Sequence, residues 1–426
     1  MSRRNYAALT AVSAAAFLAT AEDAGASGFA IREQSGSLLG QAFAGANAYT
    51  MDPSVIFFNP AGMSALDGTR ISGGVNFFFV KSEFDDEGST STGGPGFLGN
   101  EEGGDLGENA LVPIFYAMTS FEDFRFGIGV NAPFGLVTNY DENSIGRYAA
   151  ITSALRVINV NPVVSYQVTD WLSLGAGAQI QRSDARLTSA MNFGLLGDEE
   201  VELQADGVGY GFTAGALITP MPGTRIGVGF RSSVSQTLEG DVDVNLPAAL
   251  GGGKTTLGAS TELETPETLG LSIYQQVTDR LSIAGSVEWT NWSRFDELRV
   301  DFDTPGIPDD VTRENWNDSF FFALGLNYQV TENLLVRGGV AYDQTPVPDA
   351  FRTAALPDED RYWLSFGGTY QVNEVISIDV GYTHIFADDA VIEEDFAAGP
   401  VPVTGTIRGE YDPSIDLFGV QVNIRL

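Results

Sequence analysis

The side chains that most often carry catalytic chemistry are scarce in this sequence. Its 426 residues contain no cysteine and one histidine, His384. Without cysteine there is no thiolate nucleophile, no disulfide framework and no zinc site built on thiolates. A Ser-His-Asp triad would need a nucleophile and an orienting acid beside His384, and the neighbouring sequence suggests neither. We therefore expect no enzyme activity, no catalytic residue and no cofactor.

Acidic residues are the second group that could carry chemistry, because carboxylates bind divalent cations. They concentrate in runs at 83–87, 101–108 and 388–395. None of these runs has the D-x-[DN]-x-[DN]-G spacing of a dedicated calcium loop, so a solvated surface is the favoured interpretation and no metal site is predicted. The 22 Lys+Arg against 56 Asp+Glu give a net charge of −34, which excludes a nucleic-acid partner.

A short turn motif recurs along the chain and indicates how the strands are spaced. Its four copies begin at Tyr166, Gln275, Tyr328 and Tyr370. On both sides of each turn apolar and polar residues alternate with period two, as in residues 376–383 (ISIDVGYT), which is typical of strands with one apolar face. Two weaker turns lie at 121–124 and 220–224. Six turns, with one strand before the first and one at the chain end, predict about 14 strands, an even number as bacterial outer-membrane barrels require.

Short turns at one rim contrast with long acidic connections at the other. The connections lie near 81–109, 133–156, 183–206, 237–265, 292–317, 345–361 and 388–413. Aromatic residues, among them Trp171 and Trp292, fall near strand ends, where an interfacial girdle would place them. We predict an all-β fold, a 14-stranded antiparallel transmembrane β-barrel over residues 69–426 in contact with the lipids of the bacterial outer membrane. A secreted β-sandwich or propeller would expose too much apolar strand surface to water.

The N-terminal part of the chain divides into two predicted segments. Arg3 and Arg4 precede an apolar run at 7–21 and a small-residue site, Ala24-Gly25-Ala26, so residues 1–26 are interpreted as a secretory signal. The alternative, a membrane anchor, needs a longer apolar run. Residues 27–68 hold no alternating run and are too apolar for a flexible tail, so we expect them to plug the wide lumen of the barrel.

Four blocks of residues resemble the FadL-type family of outer-membrane transporters, which takes up long-chain fatty acids and aromatic hydrocarbons. The blocks are Gly28-Phe29 with Asn59-Pro60-Ala61, Pro133-Phe134-Gly135 with Gly146-Arg147-Tyr148, residues 289–295 (WTNWSRF), and residues 346–363. The resemblance implies a barrel closed by an N-terminal hatch, in which hydrophobic molecules enter passively and leave sideways through a gap in the wall. We expect a monomer whose partners are its hydrophobic substrate and the barrel-assembly machinery, although the chain ends in Leu426 where such barrels usually end in an aromatic residue.

The resemblance also assigns residues to roles. One side of an extracellular groove would consist of Phe134, Leu136, Tyr140, Ile145, Tyr148 and Leu155. The other side would consist of Leu187, Met191, Phe193, Leu195 and Leu196. The hatch gate would involve Gly28, Phe29, Asn59, Pro60 and Ala61, although the last three are equally compatible with a structural turn. A kinked strand at the lateral gap would contain Gly127, Gly129 and Pro133, since glycine and proline weaken ladder pairing.

Four arginines are expected to point inward and could bind the carboxylate of a fatty acid. They are Arg147, Arg156, Arg337 and Arg361. The alternative is that these arginines pair with lumenal acids such as Asp343 and Asp379. The most favoured substrate is a long-chain fatty acid, with an aromatic or alkane hydrocarbon as the alternative and a general porin as a more distant one. The net negative charge of the chain repels free carboxylates, and this favours a neutral substrate or a saline medium.

Overall fold

The computed structural model describes residues 27–93, 97–98, 104–400 and 403–426. The predicted signal segment, residues 1–26, lies outside these ranges. Within them, no helix is long and apolar enough to cross a membrane.

Twenty strands alternate with turns along the chain. They are β1 Thr69–Asp86, β2 Thr90–Ser91, β3 Ala110–Phe121, β4 Phe124–Asn139, β5 Thr152–Thr169, β6 Leu172–Asn192, β7 Asp198–Met221, β8 Thr224–Arg231, β9 Val234–Asn245, β10 Lys254–Thr265, β11 Thr268–Gln276, β12 Leu281–Thr290, β13 Glu297–Phe302, β14 Asp310–Arg313, β15 Ser319–Thr331, β16 Leu334–Asp343, β17 Arg361–Gln371, β18 Ile376–Ala387, β19 Ala390–Ala397 and β20 Thr404–Arg425.

Fourteen of these strands close into one antiparallel barrel, which confirms the predicted fold. The order around the wall is β1, β3 to β8, β11, β12, β15 to β18 and β20. The circle closes between β20 and β1, where Arg425 pairs with Arg70. All six predicted turns join neighbouring wall strands, and the remaining six strands extend the connections at the opposite rim.

Two of the predicted long loops are largely strand, and this is a correction. The segment 133–156 is divided between β4 and β5, and the segment 183–206 between β6 and β7. The backbone ladders continue there beyond the apolar part of the wall. At that height the outward residues are polar, as in residues 201–206 (VELQAD), and these acidic stretches were therefore assigned to loops although they alternate with period two.

The period-two pattern separates the outside of the wall from the inside. On β11, Leu269, Leu271 and Ile273 are exposed on the outer face. Ser272 lies between them, is 1% exposed, and its hydroxyl accepts a hydrogen bond from the backbone N–H of Asn47 inside the barrel. Apolar groups that face lipid and polar groups that face the interior are the arrangement a membrane-spanning barrel requires.

Residues 27–68 lie inside the barrel and are almost completely buried. They form two short helices, α1 (Gly36–Leu39) and α2 (Val55–Phe58), and two 3-10 turns, Ala46–Ala48 and Pro60–Ala65. The hydroxyl of Ser35 caps α1 by accepting a hydrogen bond from the backbone N–H of Leu38. Helices this short are not stable alone, so the wall must hold them in place.

The wall holds this segment through glycines at the points of closest approach. We call them the glycine seat: Gly175, Gly215, Gly227, Gly229, Gly270 and Gly339. A Cβ atom at Gly227 would lie 1.8 Å from the carbonyl oxygen of Asn47, and one at Gly229 would lie 2.0 Å from that of Phe58. Only residues without a side chain let the two backbones meet this closely. The chain has 50 glycines, and this contact surface explains part of that excess.

Candidate functional site

The start of the inner segment is held in a box of aromatic rings. Phe29 is 4% exposed, and its ring centroid lies 4.6 Å from that of Trp292, 5.4 Å from Phe295 and 5.7 Å from Trp316. Phe134 closes the box at 5.9 Å. Most of these pairs meet edge to face, which is a favourable geometry for aromatic rings. Trp292, predicted for the interfacial girdle, is therefore buried inside the protein, and that prediction is wrong.

The residue before Phe29 must be a glycine for two reasons. Gly28 has a φ of +61°, and a Cβ atom there would lie 2.7 Å from the ring of Trp316. Its backbone N–H donates to the carboxylate of Asp358 at 2.9 Å. Asp358 is buried, forms an ion pair with Arg361 and accepts a hydrogen bond from the hydroxyl of Thr345. Three of the blocks that carry the family resemblance thus meet around Gly28 and Phe29.

An apolar recess of about 110 Å³ lies against Phe29, and two other rings of the box, Phe295 and Trp316, also line it. Three predicted groove residues, Leu136, Leu155 and Leu187, line it. The other walls come from strands that the groove prediction did not include, among them Leu263 on β10. The recess is a candidate binding site, because ligand pockets are concave and mainly apolar.

The remaining predicted groove residues lie elsewhere. Tyr140, Ile145 and Tyr148 are buried in a separate cluster of the outer loops, where the hydroxyl of Tyr140 lies 2.6 Å from the carbonyl oxygen of Ala354. The others sit at the end of the β6–β7 hairpin, and they are Met191, Phe193, Leu195 and Leu196. Leu195 is fully exposed there. The structure therefore brings residues of both predicted sides together only at the recess, through Leu136, Leu155 and Leu187.

Three of the four predicted arginines form ion pairs with acids of the chain. Arg147 pairs with Asp198 at 3.0 Å and donates its other N–H groups to loop carbonyls and to Tyr148. Arg337 pairs with Asp379 at 3.0 Å, and both side chains are buried. Arg361 pairs with Asp358, as described above. These contacts correspond to the alternative interpretation, in which the arginines neutralise lumenal and loop acids.

The fourth arginine, Arg156, points the opposite way from the prediction. Its neighbours on β5, Leu155 and Val157, pack into the buried cluster around Phe29. Successive residues of a strand face opposite sides, so Arg156 lies on the outer face of the wall. The inward orientation expected for Arg156 is therefore wrong. Arg156 was expected to point inward because it lies near the predicted groove, and the alternation along β5 assigns it to the other face.

The ionisable group that lines the recess is an acid, Glu314. Its carboxylate accepts a hydrogen bond of 2.9 Å from the indole N–H of Trp316. Burial, with a smaller contribution from the nearby carboxylate of Glu394, raises the pKa of Glu314 to about 7. No lysine, arginine or histidine is among the recess-lining residues in the part of the chain that the structure describes.

The wall has an interruption between β3 and β4. The two strands pair up to Phe115 and Val130, and beyond this point β4 has no ladder with β3. At the same height the register between β4 and β5 shifts by one residue, between Asn131 and Phe134. This is the geometry of a β-bulge, which bends the strand. Gly127 and Gly129 keep regular pairing on both sides, so the kink lies at Ala132-Pro133 and not at the glycines.

The inner segment takes the place of the missing wall strand. The backbone N–H of Ile31 donates to the carbonyl of Pro133 at 2.9 Å, and that of Gly135 donates to the carbonyl of Phe29 at 2.8 Å. The side-chain amide of Gln34 donates to the carbonyl of Ala132 at 2.6 Å. The edge of β4 is thus satisfied by the inner segment, which closes the gap in the wall.

Asn59-Pro60-Ala61 lies at a different contact with the wall. The side-chain oxygen of Asn59 accepts a hydrogen bond from the N–H of Ala61 and so caps the 3-10 turn. Its amide nitrogen donates to the carbonyls of Asn47 and, on β7, of Ala216. Ala61 packs on Gly175. Sequence reasoning treated this motif as a gate or a turn, and its contacts are those of a capped turn.

Comparison with known proteins identifies the family. Residues 17–426 match the family described as outer membrane protein transport protein (OMPP1/FadL/TodX). The chain belongs to this family. A 47 kDa outer membrane protein of Pasteurella multocida is 32% identical, with 97% of each chain covered, and a long-chain fatty acid transport protein of Salmonella typhi is 28% identical, with 93% of each covered.

Solved structures share the fold of this FadL-family protein. A Pseudomonas aeruginosa FadL homologue superposes with a TM-score of 0.85 at 24% identity, covering 93% of this chain and 99% of that one. The Pseudomonas putida toluene transporter TodX superposes with a TM-score of 0.69 at 17% identity, covering 94% and 100%. Family membership and the closed barrel place the chain in the bacterial outer membrane as a transport channel for hydrophobic compounds.

The aromatic box gives a first testable prediction. Phe29→Ala removes a buried ring and should weaken the attachment of the inner segment by about 3 kcal/mol. The amide of Ile31, which bonds to β4, should then exchange with solvent about a hundredfold faster by hydrogen-exchange mass spectrometry. Phe79→Ala, at a lipid-facing ring that is 47% exposed, is the matched control. Equal exchange in both variants would show that the box does not hold the segment.

Proposed function

We propose that the protein is a passive channel for long-chain hydrophobic compounds, with long-chain fatty acids as the first candidates. The substrate binds in the recess beside Phe29, passes the inner segment, which acts as a hatch, and leaves sideways between β3 and β4. The observation that carries this proposal is the interrupted ladder at Pro133, whose edge is bonded to the hatch and not to the next wall strand.

Two further observations support a sideways exit. The glycine seat brings the hatch against the wall on several sides of the lumen, which leaves the route straight down the barrel filled. The wall outside is apolar, so a hydrophobic molecule that leaves through the gap enters lipid without crossing water. An open porin would need a lumen lined by water, and this arrangement is unfavourable for one.

A second candidate substrate is an aromatic or alkane hydrocarbon. It is favoured by the absence of a basic group among the described recess-lining residues, since a hydrocarbon needs no counter-ion. The toluene transporter TodX has the same fold, and that likeness concerns the fold alone. The other partners that we propose are the barrel-assembly machinery and outer-membrane lipids, with the protein working as a monomer.

Uptake by cells that lack their own hydrophobic-substrate channels tests this function. Cells that express the protein receive labelled oleate, labelled toluene or a labelled small sugar. We expect oleate to accumulate several-fold faster than in control cells, and the sugar not to enter. Entry of toluene without oleate would assign the protein to hydrocarbons. Entry of the sugar would identify an open pore and contradict the proposal.

A further inference from the structure

The polar groups of the recess are suited to an uncharged oxygen. Glu314 is 7% exposed, and one of its carboxyl oxygens is bonded to Trp316, whereas the other accepts no hydrogen bond from any described residue. The hydroxyl of Thr261 lines the same recess and is buried without a hydrogen-bond partner in the described part of the chain. Buried polar groups in folded proteins are nearly always paired, so the unpaired hydroxyl of Thr261, in the same apolar recess as the carboxyl group of Glu314, indicates a ligand.

No basic side chain is among the described residues that line the recess with Glu314. The strands that form the recess contribute apolar groups such as Leu155, Leu263 and Val300, and the hatch contributes Phe29. Glu394 is the acid that acts on Glu314. Burial raises the pKa of Glu394 itself to about 7, and its carboxylate accepts a hydrogen bond from the backbone N–H of Ala354. Two arginines of the outer loops are turned to other surroundings: Arg313, which precedes Glu314 at the end of β14, is exposed, and Arg352 pairs with Asp349 and Glu359.

We propose that the recess selects long-chain compounds whose polar end is an uncharged oxygen, such as an alcohol, an ester or a protonated acid, through hydrogen bonds to Glu314 and Thr261. It admits a carboxylate only together with a proton, which the two carboxyl groups then share. This inference rests on the proposed function and specifies the substrate class. The recess would thus distinguish compounds by the charge of the polar end, with chain length left to the apolar walls.

The physical reason is that two carboxylates in one apolar recess cannot both be ionised. An alcohol can donate to ionised Glu314 or accept from protonated Glu314, so the affinity for an alcohol is insensitive to pH. An oleate anion finds a hydrogen-bond donor in protonated Glu314 alone. With a pKa of about 7, about a tenth of the molecules carry that proton at pH 8, so oleate should bind about tenfold more weakly than at pH 6.

The test compares oleate with oleyl alcohol, which has the same chain. Affinities are measured at pH 6 and pH 8 by displacement of tritiated oleyl alcohol from the full-length protein in detergent. Glu314→Gln should raise oleate affinity about tenfold at pH 8, because the amide donates without a proton, and leave oleyl alcohol unchanged. Asp310→Asn removes the same charge from an exposed position on β14 and is the matched control, for which no change is expected.

A second variant keeps the proposal falsifiable if Glu314→Gln fails to fold. Thr261→Val preserves the shape and should lower the affinity for oleyl alcohol about fivefold while leaving 1-octadecene, which has no oxygen, unaffected. Equal binding of oleate and oleyl alcohol at pH 8 by the unaltered protein would overturn the inference and leave the channel function intact. If none of the three compounds binds, the proposed function fails together with it.

Discussion

Gly229→Val is expected to open the barrel to ions. A Cβ atom at this position would lie 2.0 Å from the carbonyl oxygen of Phe58, which is backbone of the hatch and cannot move aside alone. Overpacking at such a contact costs about 1 to 3 kcal/mol even where neighbours adjust. The hatch is attached by many weak contacts and the wall by continuous ladders, so the hatch should yield first.

Single-channel recording in planar bilayers measures this effect. The unaltered protein should conduct little, and the variant should conduct steadily, as a barrel of this width does when its lumen is empty. Gly73→Val is the matched control, because a Cβ atom at Gly73 on β1 meets nothing within 4 Å. If both variants stay closed while folding normally, the hatch does not depend on the glycine seat.

The wall could be predicted from sequence because each strand repeats one physical constraint. Residues 376–383 alternate between lipid and interior, and the same alternation on both sides of each turn motif fixes the strands and their order. In a membrane-spanning strand the face that contacts lipid must be apolar, since a polar residue placed in lipid is costly. The two faces are therefore easier to tell apart than in a soluble strand. The strands β9, β10, β13 and β14 lie beyond the apolar part of the wall, almost entirely in segments that were assigned to acidic connections, and they escaped prediction although β9 and β10 also alternate with period two.

The site was harder to predict because it forms between distant segments. Leu136, Leu155 and Leu187 were assigned to a groove and do line the recess, but Trp316, Thr261 and Glu314 come from strands and loops with no motif of their own. The unusual signal was compositional: glycine in excess within strands, where it is normally unfavourable. That signal could have indicated a close backbone contact inside the barrel, although not its partner.

The arginines illustrate a limit of reasoning by residue type. In a chain with 22 basic and 56 acidic residues, any inward arginine meets an acid of the chain before it meets a ligand. Arg337 pairs with Asp379 in a buried contact, and removing either partner would leave an unpaired buried charge. Sequence alone left the two interpretations equally weighted, and the three-dimensional arrangement was needed to show the pairs.

Deletion of Pro133 is expected to abolish uptake while leaving the barrel closed to ions. Between Asn131 and Phe134, β4 has one residue more than β5 opposite it. Removing one residue restores a constant register, so β4 can run straight beside β3 and complete the ladder that now ends at Phe115 and Val130. A complete ladder leaves no lateral exit, and uptake of labelled oleate should fall to that of cells without the protein.

Pro133→Ala separates the bulge from the proline itself. This variant keeps the number of residues in β4, and the register on both sides of the bulge is fixed by the turn at 121–124 and by the alternation of β5. The bulge, and with it uptake, should therefore persist in Pro133→Ala and disappear in the deletion. Uptake that survives the deletion, in a barrel whose β3–β4 ladder is shown by hydrogen exchange to be complete, would mean that substrate leaves by another route.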